Sequence, residues 1–385
     1  DDGDLVRNGV HRPTGRHERE RRDSAEDSCG ARATAVRVGT RHGPVQNRAP
    51  RQKTQVSRYD SAFRRVSSLT KGSPKADKPA HLMADLILAI DQGTTSTRVM
   101  ILDKKLSVRG QAQSEFPQYY PKPGWVEHNP EEIWQSVVKC IKTAIARAKI
   151  RTKDIACIGI TNQRETTVIW DRETGAPLAN AIVWQCRRTT EICQRLRKQG
   201  YEAMFVNKTG LVLDPYFSGT KVKWLMDNTP GLKAKAQAGR LAFGTMDSFL
   251  VYRLTGGRSH VTDVSNASRT LLMDIRAVKW DSELSEILDC PREMLPEIRS
   301  SAEPIGVTSG MKIIPDGIPI TGIAGDQQAA LFGQACFERG TAKCTYGTGS
   351  FLLMNTGDIP VFSQKKLITT IAWKLGRADV NYALE

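Results

Sequence analysis

A polar segment between two apolar runs, residues 91–98, most restricts how this 385-residue chain can fold. The segment reads Asp-Gln-Gly-Thr-Thr-Ser-Thr-Arg, and the apolar runs 86–90 and 99–102 on either side have the length and composition of β-strands. This arrangement predicts a β-hairpin whose turn contains Gly93, a residue free to take a positive φ. The backbone N–H groups, hydroxyls and guanidinium of the turn suit phosphate oxygens, and Asp91 can hold a hydrated Mg²⁺ beside them.

The octapeptide alone fits a plain polar turn at a sheet edge equally well. It is not a P-loop, because no Gly-Lys-Ser/Thr follows, and it lacks the G-x-G-x-x-G pattern of dinucleotide-binding folds. A second Gly/Thr turn, residues 346–350 (Tyr-Gly-Thr-Gly-Ser), comes late in the chain between two β-like runs. The two turns could face each other across one nucleotide.

The formal net charge of +15 is unevenly distributed along the chain. Residues 1–82 contain 18 Lys and Arg against 10 Asp and Glu, which places +8 of the excess in about a fifth of the sequence. This segment is poor in aromatic residues, has no apolar periodicity and contains Gly, Pro, Ser and Arg throughout, so residues 1–83 are expected to form a disordered basic leader. The first methionine of the chain is Met83. Translated non-coding sequence is the favoured origin of this leader, with a genuine extension or transit peptide as the alternative.

The remaining composition is that of a globular protein of two or more domains, with 39% hydrophobic residues. The eight cysteines show no C-x-x-C pair and no metal-ligand spacing with the histidines, which favours reduced thiols in a cytoplasmic protein. No apolar run approaches the ~18 residues that a membrane span requires. Nucleic-acid binding through the basic leader is a minor alternative, and we expect no nucleic-acid partner.

The order of secondary structure after Met83 predicts an α/β fold. Residues 111–130 are expected to form a loop, and a helix is expected to begin at Asn129-Pro130 with Asn129 as its cap. Strands are predicted at 155–161, 167–170, 181–184 and 318–323. Helices are predicted at 188–198, from about 245 with Asp247 or Thr245 as its cap, and at 329–335. Strand, helix and strand in this order indicate a right-handed α/β unit.

Two sets of polar residues follow predicted strands, where open α/β sheets bind ligands. Asp326 is a candidate general base, although it could equally cap the helix that begins nearby. Arg164 and Glu165 pair a donor-only with an acceptor-only side chain and could bind the hydroxyls of a polyol, although an isolated surface ion pair is the default interpretation. Lys221 and Lys223 are explained by a solvated helix face and receive no role.

Four segments carry a resemblance to a known family: residues 91–98, 160–166 (Ile-Thr-Asn-Gln-Arg-Glu-Thr), 181–188 (Ala-Ile-Val-Trp-Gln-Cys-Arg-Arg) and 325–330 (Gly-Asp-Gln-Gln-Ala-Ala). With them, the chain resembles the FGGY carbohydrate kinases from about Leu86 to Glu385. The resemblance implies a ribonuclease H-like α/β fold of the actin and hexokinase type. It also implies ATP- and Mg²⁺-dependent phosphorylation of glycerol to sn-glycerol 3-phosphate, by a protein that is a homo-oligomer at full length.

The resemblance assigns roles residue by residue. Asp326 matches the catalytic carboxylate, Asp91 the Mg²⁺-associated carboxylate, and the remaining positions match the substrate and nucleotide contacts. The substrate set is Arg164, Glu165, Tyr216, Asp326, Gln327, Trp184 and Phe351, and the nucleotide set is Thr94, Thr95, Ser96, Arg98, Gly347 and Thr348. Trp184 and Phe351 also suit simple core positions.

The resemblance further implies a nearly complete first domain at 84–333 and an incomplete second domain at 334–385, with the adenine-binding segment downstream. Residues 309–318 differ from the loop that binds an allosteric sugar bisphosphate in some bacterial relatives, so that regulation is not expected. Another FGGY sugar kinase, specific for xylulose or gluconate, is the alternative in the same class. A non-catalytic fragment that binds glycerol or a protein is the alternative in a different class, and a mitochondrial association stays open.

Overall fold

A computed structural model describes residues 85–347 and 349–385 and the backbone of a short strand at Ala33–Arg37. The strands are β1 (Ala33–Arg37), β2 (Leu86–Gln92), β3 (Ser96–Leu102), β4 (Val108–Glu115), β5 (Glu127–His128), β6 (Ile155–Asn162), β7 (Val168–Asp171), β8 (Ala181–Ile182), β9 (Leu241–Gly244), β10 (Val261–Asp263), β11 (Met273–Asp274), β12 (Lys279–Trp280), β13 (Glu297–Arg299), β14 (Ala302–Val307), β15 (Pro319–Gly325), β16 (Thr341–Tyr346), β17 (Ser350–Gly357), β18 (Thr369–Trp373) and β19 (Asn381–Leu384). The helices are α1 (Pro130–Ala148), α2 (Thr190–Lys198), α3 (Glu202–Thr209), α4 (Ser218–Asn228), α5 (Leu232–Gln237), α6 (Met246–Leu254), α7 (Val264–Ala267), α8 (Ser282–Ile287) and α9 (Asp326–Gly333), with 3₁₀ turns at Thr152–Asp154 and Arg292–Met294.

The first large sheet has the strand order β14-β15-β6-β2-β3-β4. Strands β2, β6 and β15 are parallel, whereas β3 and β4 continue from β2 as an antiparallel meander. In β2 and β3 the alternate residues Leu88, Ile90, Val99 and Ile101 are buried, so the predicted hairpin forms with one face in the core. The expected α/β fold is confirmed.

Helix α1 covers one face of this sheet, as its sequence predicts. The Asn129 side chain accepts a hydrogen bond from the Glu131 backbone N–H at 2.9 Å, and Pro130 occupies the first helical position. The helix approaches β4 closely at Gly110, where an added Cβ would lie 2.6 Å from the Ala148 backbone nitrogen. Glycine at this position therefore sets the distance between helix and sheet.

The second large sheet is antiparallel, in the order β1-β16-β17-β19-β18. Helix α9 connects the two sheets, because it begins where β15 ends and packs against β17. The rings of Phe332, Phe337 and Trp373 meet edge to face beside this helix, with centroids 4.9 to 6.2 Å apart. The end of β15 is therefore fixed relative to the second sheet.

Three local expectations were wrong. Residues 111–115 belong to β4, and Glu127–His128 forms β5, because both segments find strand partners that their composition does not reveal. Gly93 has no positive φ; the turn closes through a 2.9 Å hydrogen bond from its N–H to the Ser96 carbonyl. Helix α6 begins at the expected place, but neither Thr245 nor Asp247 caps it with a side-chain hydrogen bond to the helix.

The basic leader contains one strand for which its composition gave no signal. Strand β1 pairs with β16, whose edge offers backbone N–H and C=O groups to an extended segment. The other leader residues lie outside the described residues, so their expected disorder stays a prediction. Among the helices in the described part of the chain, none is both long and apolar enough to cross a membrane.

Candidate active site

The candidate site lies where the three parallel strands of the first sheet end. Gln92, Asn162 and Gly325 are paired neighbours at the carboxyl ends of β2, β6 and β15. The chain leaves these ends through the β2–β3 hairpin turn, through the loop 163–167 and through helix α9. Open α/β sheets bind ligands at this edge.

Most of the predicted site residues meet around one cavity of about 180 Å³. Its lining consists of Thr94, Thr95, Arg164, Glu165, Trp184, Tyr216, Asp326, Gln327, Thr345, Gly347, Gly349 and Phe351. This volume is below the roughly 300–1,000 Å³ of pockets for drug-sized ligands, so it suits a small molecule. Asp91, Ser96 and Arg98 lie outside the lining, and Thr348 lies outside the described residues.

Asp326 is the accessible carboxylate of the cavity. It is the first residue of α9, follows the N-cap residue Gly325, and has a side chain 36% exposed. Its two oxygens accept hydrogen bonds from the Gln327 backbone N–H at 2.7 Å and from the Gln327 side-chain amide at 3.1 Å. Arg164 Nε lies 3.4 Å from the same carboxylate. One face of Asp326 is therefore held by the protein while the exposed part can receive a hydroxyl.

Arg164 and Glu165 do not form the surface ion pair that is the default interpretation of their sequence. Both are almost fully buried, with side chains 1% exposed. Arg164 donates to the Glu385 carboxylate at 2.5 and 3.0 Å and to the Tyr216 hydroxyl at 3.3 Å. Burial lowers the pKa of Arg164, but Glu385 and its other neighbours raise it well above its ordinary value.

Arg269 is a site residue that the sequence reasoning missed. Its Nε donates to Glu165 at 2.6 Å and its Nη1 lies 2.9 Å from Glu385. With Arg164 it completes a buried quartet of two arginines and two glutamates. Arg269 lies 104 residues from Glu165 in a polar segment that gave no sign of burial. Nothing in its local pattern could have revealed the contact.

The quartet shifts the pKa values of its two carboxylates in opposite directions. Burial raises the pKa of Glu165, and the neighbouring Arg164 and Arg269 only partly oppose this. Burial also acts on Glu385, but the two arginines outweigh it and lower its pKa to about 2. Glu385 is therefore the firmly ionised partner that holds both guanidinium groups.

Glu165 has a left-handed backbone conformation that is held by hydrogen bonds. Its φ is 60°, in the left-handed region that disfavours side chains other than glycine, asparagine and aspartate. The Glu165 carbonyl accepts hydrogen bonds from Ser218 Oγ at 3.0 Å and Thr167 Oγ1 at 3.2 Å, which hold the peptide in place. Such strain is concentrated at functional sites.

Aromatic side chains form the apolar wall of the cavity. The Trp184 ring meets Tyr216 and Phe351 edge to face, with centroids 5.6 and 6.1 Å away. Its indole N–H donates to Thr94 Oγ1 at 2.9 Å. Trp184 therefore joins the apolar wall to the hairpin turn in addition to any packing against a ligand.

The β2–β3 turn is only partly oriented toward the cavity. Thr94 and Thr95 line it, but Arg98 is exposed and donates to Gln113 Oε1 at 2.9 and 3.2 Å. Ser96 accepts from the Gln113 amide at 2.9 Å. Ser96 and Arg98 lie on the same face of β3, whereas the alternate residue Thr97 is buried.

A buried polar network holds the same turn from behind. Gln163 donates to Gln92 Oε1 at 3.2 Å and to the Gly93 carbonyl at 3.1 Å. His128 contacts Gln118 Oε1 at 2.6 Å, and the Gln118 amide donates to the Thr94 carbonyl at 3.1 Å. Burial lowers the pKa of His128 to about 4, so this link is neutral at physiological pH. The turn is thus fixed before any ligand arrives.

Asp91 lies beside the cavity rather than in its lining. Burial raises its pKa, Asp326 raises it further, and Arg98 opposes both. Within the described part of the chain, three or more potential protein ligands for a metal ion do not converge. A buried carboxylate that interacts with Asp326 of the cavity nevertheless fits Mg²⁺, which keeps several waters and needs only one or two carboxylates.

Two lysines near the site are buried without a carboxylate partner in ion-pair contact among the described residues. Lys221 was expected on a solvated face, but its Nζ donates to the carbonyls of Pro215 and Phe217 at 2.7 and 3.0 Å, and burial lowers its pKa to about 7. It stabilises the turn before Tyr216. Lys343, on β16, contacts Gln327 and received no role from the sequence.

Comparison with known proteins shows which family the chain resembles. The N-terminal domain of the FGGY family of carbohydrate kinases matches residues 86–333. A glycerol kinase of Myxococcus xanthus is 59% identical over 303 residues, which cover 78% of this chain and 61% of that protein. The chain therefore spans about three fifths of the length of this relative.

Solved structures support the same relationship. The chain superposes on the glycerol kinase of Plasmodium falciparum with ADP at a TM-score of 0.74 and 43% identity, covering 78% of this chain and 60% of that one. A gluconate kinase from Lactobacillus acidophilus gives a TM-score of 0.68 at 23% identity, over 78% and 58% of the two chains. The second similarity supports the actin and hexokinase type of fold alone.

Proposed function

Because the chain belongs to the FGGY family of carbohydrate kinases, we propose that it forms the polyol-binding and phosphate-binding part of an enzyme that phosphorylates glycerol with ATP to sn-glycerol 3-phosphate. The observation that carries this proposal is the cavity of about 180 Å³ in which Arg164, Glu165, Tyr216, Asp326 and Gln327 meet. The proposed enzyme class is a phosphotransferase to an alcohol group. The 59% identical relative is itself a glycerol kinase.

In the proposed mechanism the protein positions a terminal hydroxyl of glycerol against Asp326. The carboxylate accepts the hydroxyl proton as the oxygen attacks the γ-phosphorus of ATP, and ADP leaves. Arg164 and Gln327 donate hydrogen bonds to the polyol, and Glu165 accepts them. Trp184 and Phe351 pack against its carbon atoms. Positioning supplies much of the rate enhancement in such transfers.

The nucleotide side of the proposed site consists of two turns. Thr94 and Thr95 of the hairpin and Gly347 of the second turn contact phosphate oxygens through hydroxyl and backbone N–H groups. Ser96, Arg98 and Thr348 complete the proposed set on the basis of their match to the family pattern. Asp91 would hold Mg²⁺ on this side of the site, and the ion would supply neutralisation of the charge on the transferred phosphoryl group.

Three further properties belong to the proposal: the division into domains, the oligomeric state and the location. The domains are 84–333 and 334–385, and the full-length enzyme is a homo-oligomer located in the cytoplasm. A different FGGY sugar kinase is the competing function. The gluconate kinase structure, at 23% identity, is similar in fold alone. The solved structure at 43% identity is that of a glycerol kinase.

Calorimetric titration of the chain with glycerol tests the polyol site. We expect binding that Arg164→Ala abolishes, because this side chain donates to the polyol and joins Glu385 to Tyr216. Arg187→Ala is the matched control, since Arg187 forms an ion pair with Asp214 in which its side chain is 53% exposed. Tighter binding of xylulose or gluconate than of glycerol would favour the competing function.

Glycerol-dependent ADP release tests catalysis separately from binding. We expect any turnover of the chain to disappear in Asp326→Asn, because an amide cannot accept the hydroxyl proton. Glycerol binding without turnover would identify this chain as the polyol half of the enzyme. Turnover that survives Asp326→Asn would contradict the assigned base.

A further inference from the structure

Lys343 is the buried charge whose position the proposed mechanism does not explain. Its side chain is completely buried. The ammonium group donates to Gln327 Oε1, to Thr345 Oγ1 at 2.9 Å and to the Phe351 carbonyl at 3.3 Å. No carboxylate among the described residues lies within ion-pair distance of it. Burying such a charge is costly, so its three hydrogen bonds must be formed in the folded protein.

These contacts determine how the Gln327 amide is oriented. An ammonium group has donors and no acceptor, so only the amide oxygen can face Lys343. The amide nitrogen is then directed toward Asp326, whose Oδ2 accepts its hydrogen bond at 3.1 Å. The reverse orientation would place two donors together at Lys343 and two acceptors together at Asp326. The two orientations of the Gln327 amide are nearly equal in shape, and the contact with Lys343 determines which of them is present.

The same ammonium group also contacts the two strands that flank the second Gly/Thr turn. Thr345 belongs to β16 and Phe351 to β17. Through these two contacts and Gln327, Lys343 joins both strands to the first residues of α9. A shift of these strands would therefore be transmitted to the side chain that contacts Asp326.

We propose that Lys343 is a positioning residue for the polyol site: it fixes the Gln327 amide so that its nitrogen donates toward Asp326, and it ties that amide to strands β16 and β17 through Thr345 and Phe351. The inference rests on the proposed function, since Gln327 and Asp326 are the proposed polyol contacts. Lys343 itself does not touch the substrate. It acts through Gln327.

A double-mutant cycle on glycerol affinity tests this inference in the whole chain. Lys343→Met should raise the dissociation constant of glycerol at least about tenfold, as expected for a lost hydrogen bond to a charged group. In the Gln327→Leu background the same substitution should have almost no further effect, because the amide it orients is absent. Equal losses in both backgrounds would overturn the inference.

Lys223→Met is the control, because Lys223 is a partly buried lysine whose partners, Asp227 and Asp289, lie away from the cavity. It should leave glycerol affinity unchanged. A comparable loss in this variant would show that any missing lysine weakens the site, which would also overturn the inference.

An NMR titration tests the contact between Lys343 and Gln327 even when no glycerol binding is detected. Burial and the nearby Arg164 lower the pKa of Lys343 to about 8, with Asp326, Glu385 and Cys344 acting in the opposite direction. The ¹³Cδ resonance of Gln327, assigned by its loss in Gln327→Leu, should therefore shift with a midpoint near pH 8. The titration is made in Cys344→Ser, so that a thiol cannot cause the shift.

In Lys343→Met the Gln327 resonance should no longer move between pH 7 and 9. A resonance that is insensitive to pH in the parent, or that moves equally in both proteins, would overturn the inference. Absence of glycerol binding by the wild-type chain, with the expected titration intact, would instead contradict the proposed function while supporting the contact of Lys343 with Gln327.

Discussion

At the scale of single residues, the buried charged groups around Arg164 differ from exposed ion pairs in how much each contributes to stability. Exposed ion pairs contribute roughly 0–1 kcal/mol, whereas removing one partner of a buried pair leaves an uncompensated charge. Arg164 and Arg269 share Glu385, and Arg269 also contacts Glu165. Each member of the quartet therefore depends on the others for its charge balance.

Arg269→Met is expected to destabilise the protein by about 3–5 kcal/mol, because Glu165 loses its 2.6 Å partner in a buried environment. Urea denaturation of the variant and of Arg299→Met measures the difference. Arg299 is the control, since its side chain is 36% exposed and its partners Glu297 and Glu303 are 62% and 28% exposed, and it should cost less than about 1 kcal/mol. Similar losses in both variants would contradict the special role of the quartet.

A second buried carboxylate, Asp247, predicts a pH dependence of stability. It accepts hydrogen bonds from the hydroxyls of Thr245 and Thr262, and burial, with a smaller effect from Asp263, raises its pKa to about 7. The folded protein therefore holds a proton that the unfolded chain releases near pH 4. The contribution of Asp247 to the free energy of unfolding is therefore fully present below about pH 4 and is lost as the pH rises toward about 7.

Between pH 5 and 7, the free energy of unfolding should decrease with pH by up to about 1.4 kcal/mol per unit on account of Asp247. Asp247→Asn should remove this component, so the difference in stability between variant and wild type should change over that range. Urea denaturation at several pH values measures it. Parallel curves for the two proteins would show that Asp247 is ionised in the folded state.

At the scale of elements, the junction of β15 and α9 positions the candidate base. Asp326 is the first residue of the helix, directly after the buried strand. A Cβ at Gly325 would lie 2.8 Å from Gln328 Oε1 and 2.9 Å from Arg164 Cγ and Cδ. The missing side chain makes room for Arg164.

Gly325→Ala should therefore move Arg164 and Gln328, and it should weaken glycerol binding about tenfold at a stability cost of roughly 1–3 kcal/mol. Gly159→Ala is the matched control on the neighbouring strand β6, because nothing lies within 4 Å of a Cβ at that position. Calorimetry and thermal unfolding of both variants test the prediction. Unchanged glycerol binding in Gly325→Ala would show that Arg164 adjusts without effect.

At the scale of the whole molecule, the site lies where the two large sheets meet. Arg164 follows β6 of the first sheet, whereas Glu385 directly follows β19 of the second. Helix α9 and the aromatic cluster of Phe332, Phe337 and Trp373 provide the apolar contacts beside it. The ion pair between Arg164 and Glu385 thus contributes to holding the sheets in one arrangement.

Glu385→Gln should reduce protection from hydrogen exchange in both sheets, since Arg164 and Arg269 lose their shared charge together. We expect faster exchange at β18 and β19 and in residues 163–167. Glu283→Gln is the control, because Glu283 is 58% exposed in its pair with Lys208. Faster exchange confined to β19 would show that the pair does not couple the sheets.

Local sequence was sufficient for the elements that depend on neighbouring residues. The hairpin of β2 and β3 follows from alternating apolar positions around a turn, and the start of α1 follows from Asn129 and Pro130. The motifs carried by Arg164, Glu165 and Asp326, together with the family resemblance, identified residues that now line one cavity. These features need only contacts a few residues apart or a pattern fixed in one segment.

Tertiary structure decided everything that depends on distant partners. Burial of Arg164, the contact of Arg269 with Glu165 and the contact of Lys343 with Gln327 join residues that no local pattern relates. Strand β4 was missed because its residues 111–115 are mostly polar and extend only by pairing with β3. A charge is buried only where its counter-charge or hydrogen-bond acceptors are brought to it, and that is settled by how the chain packs.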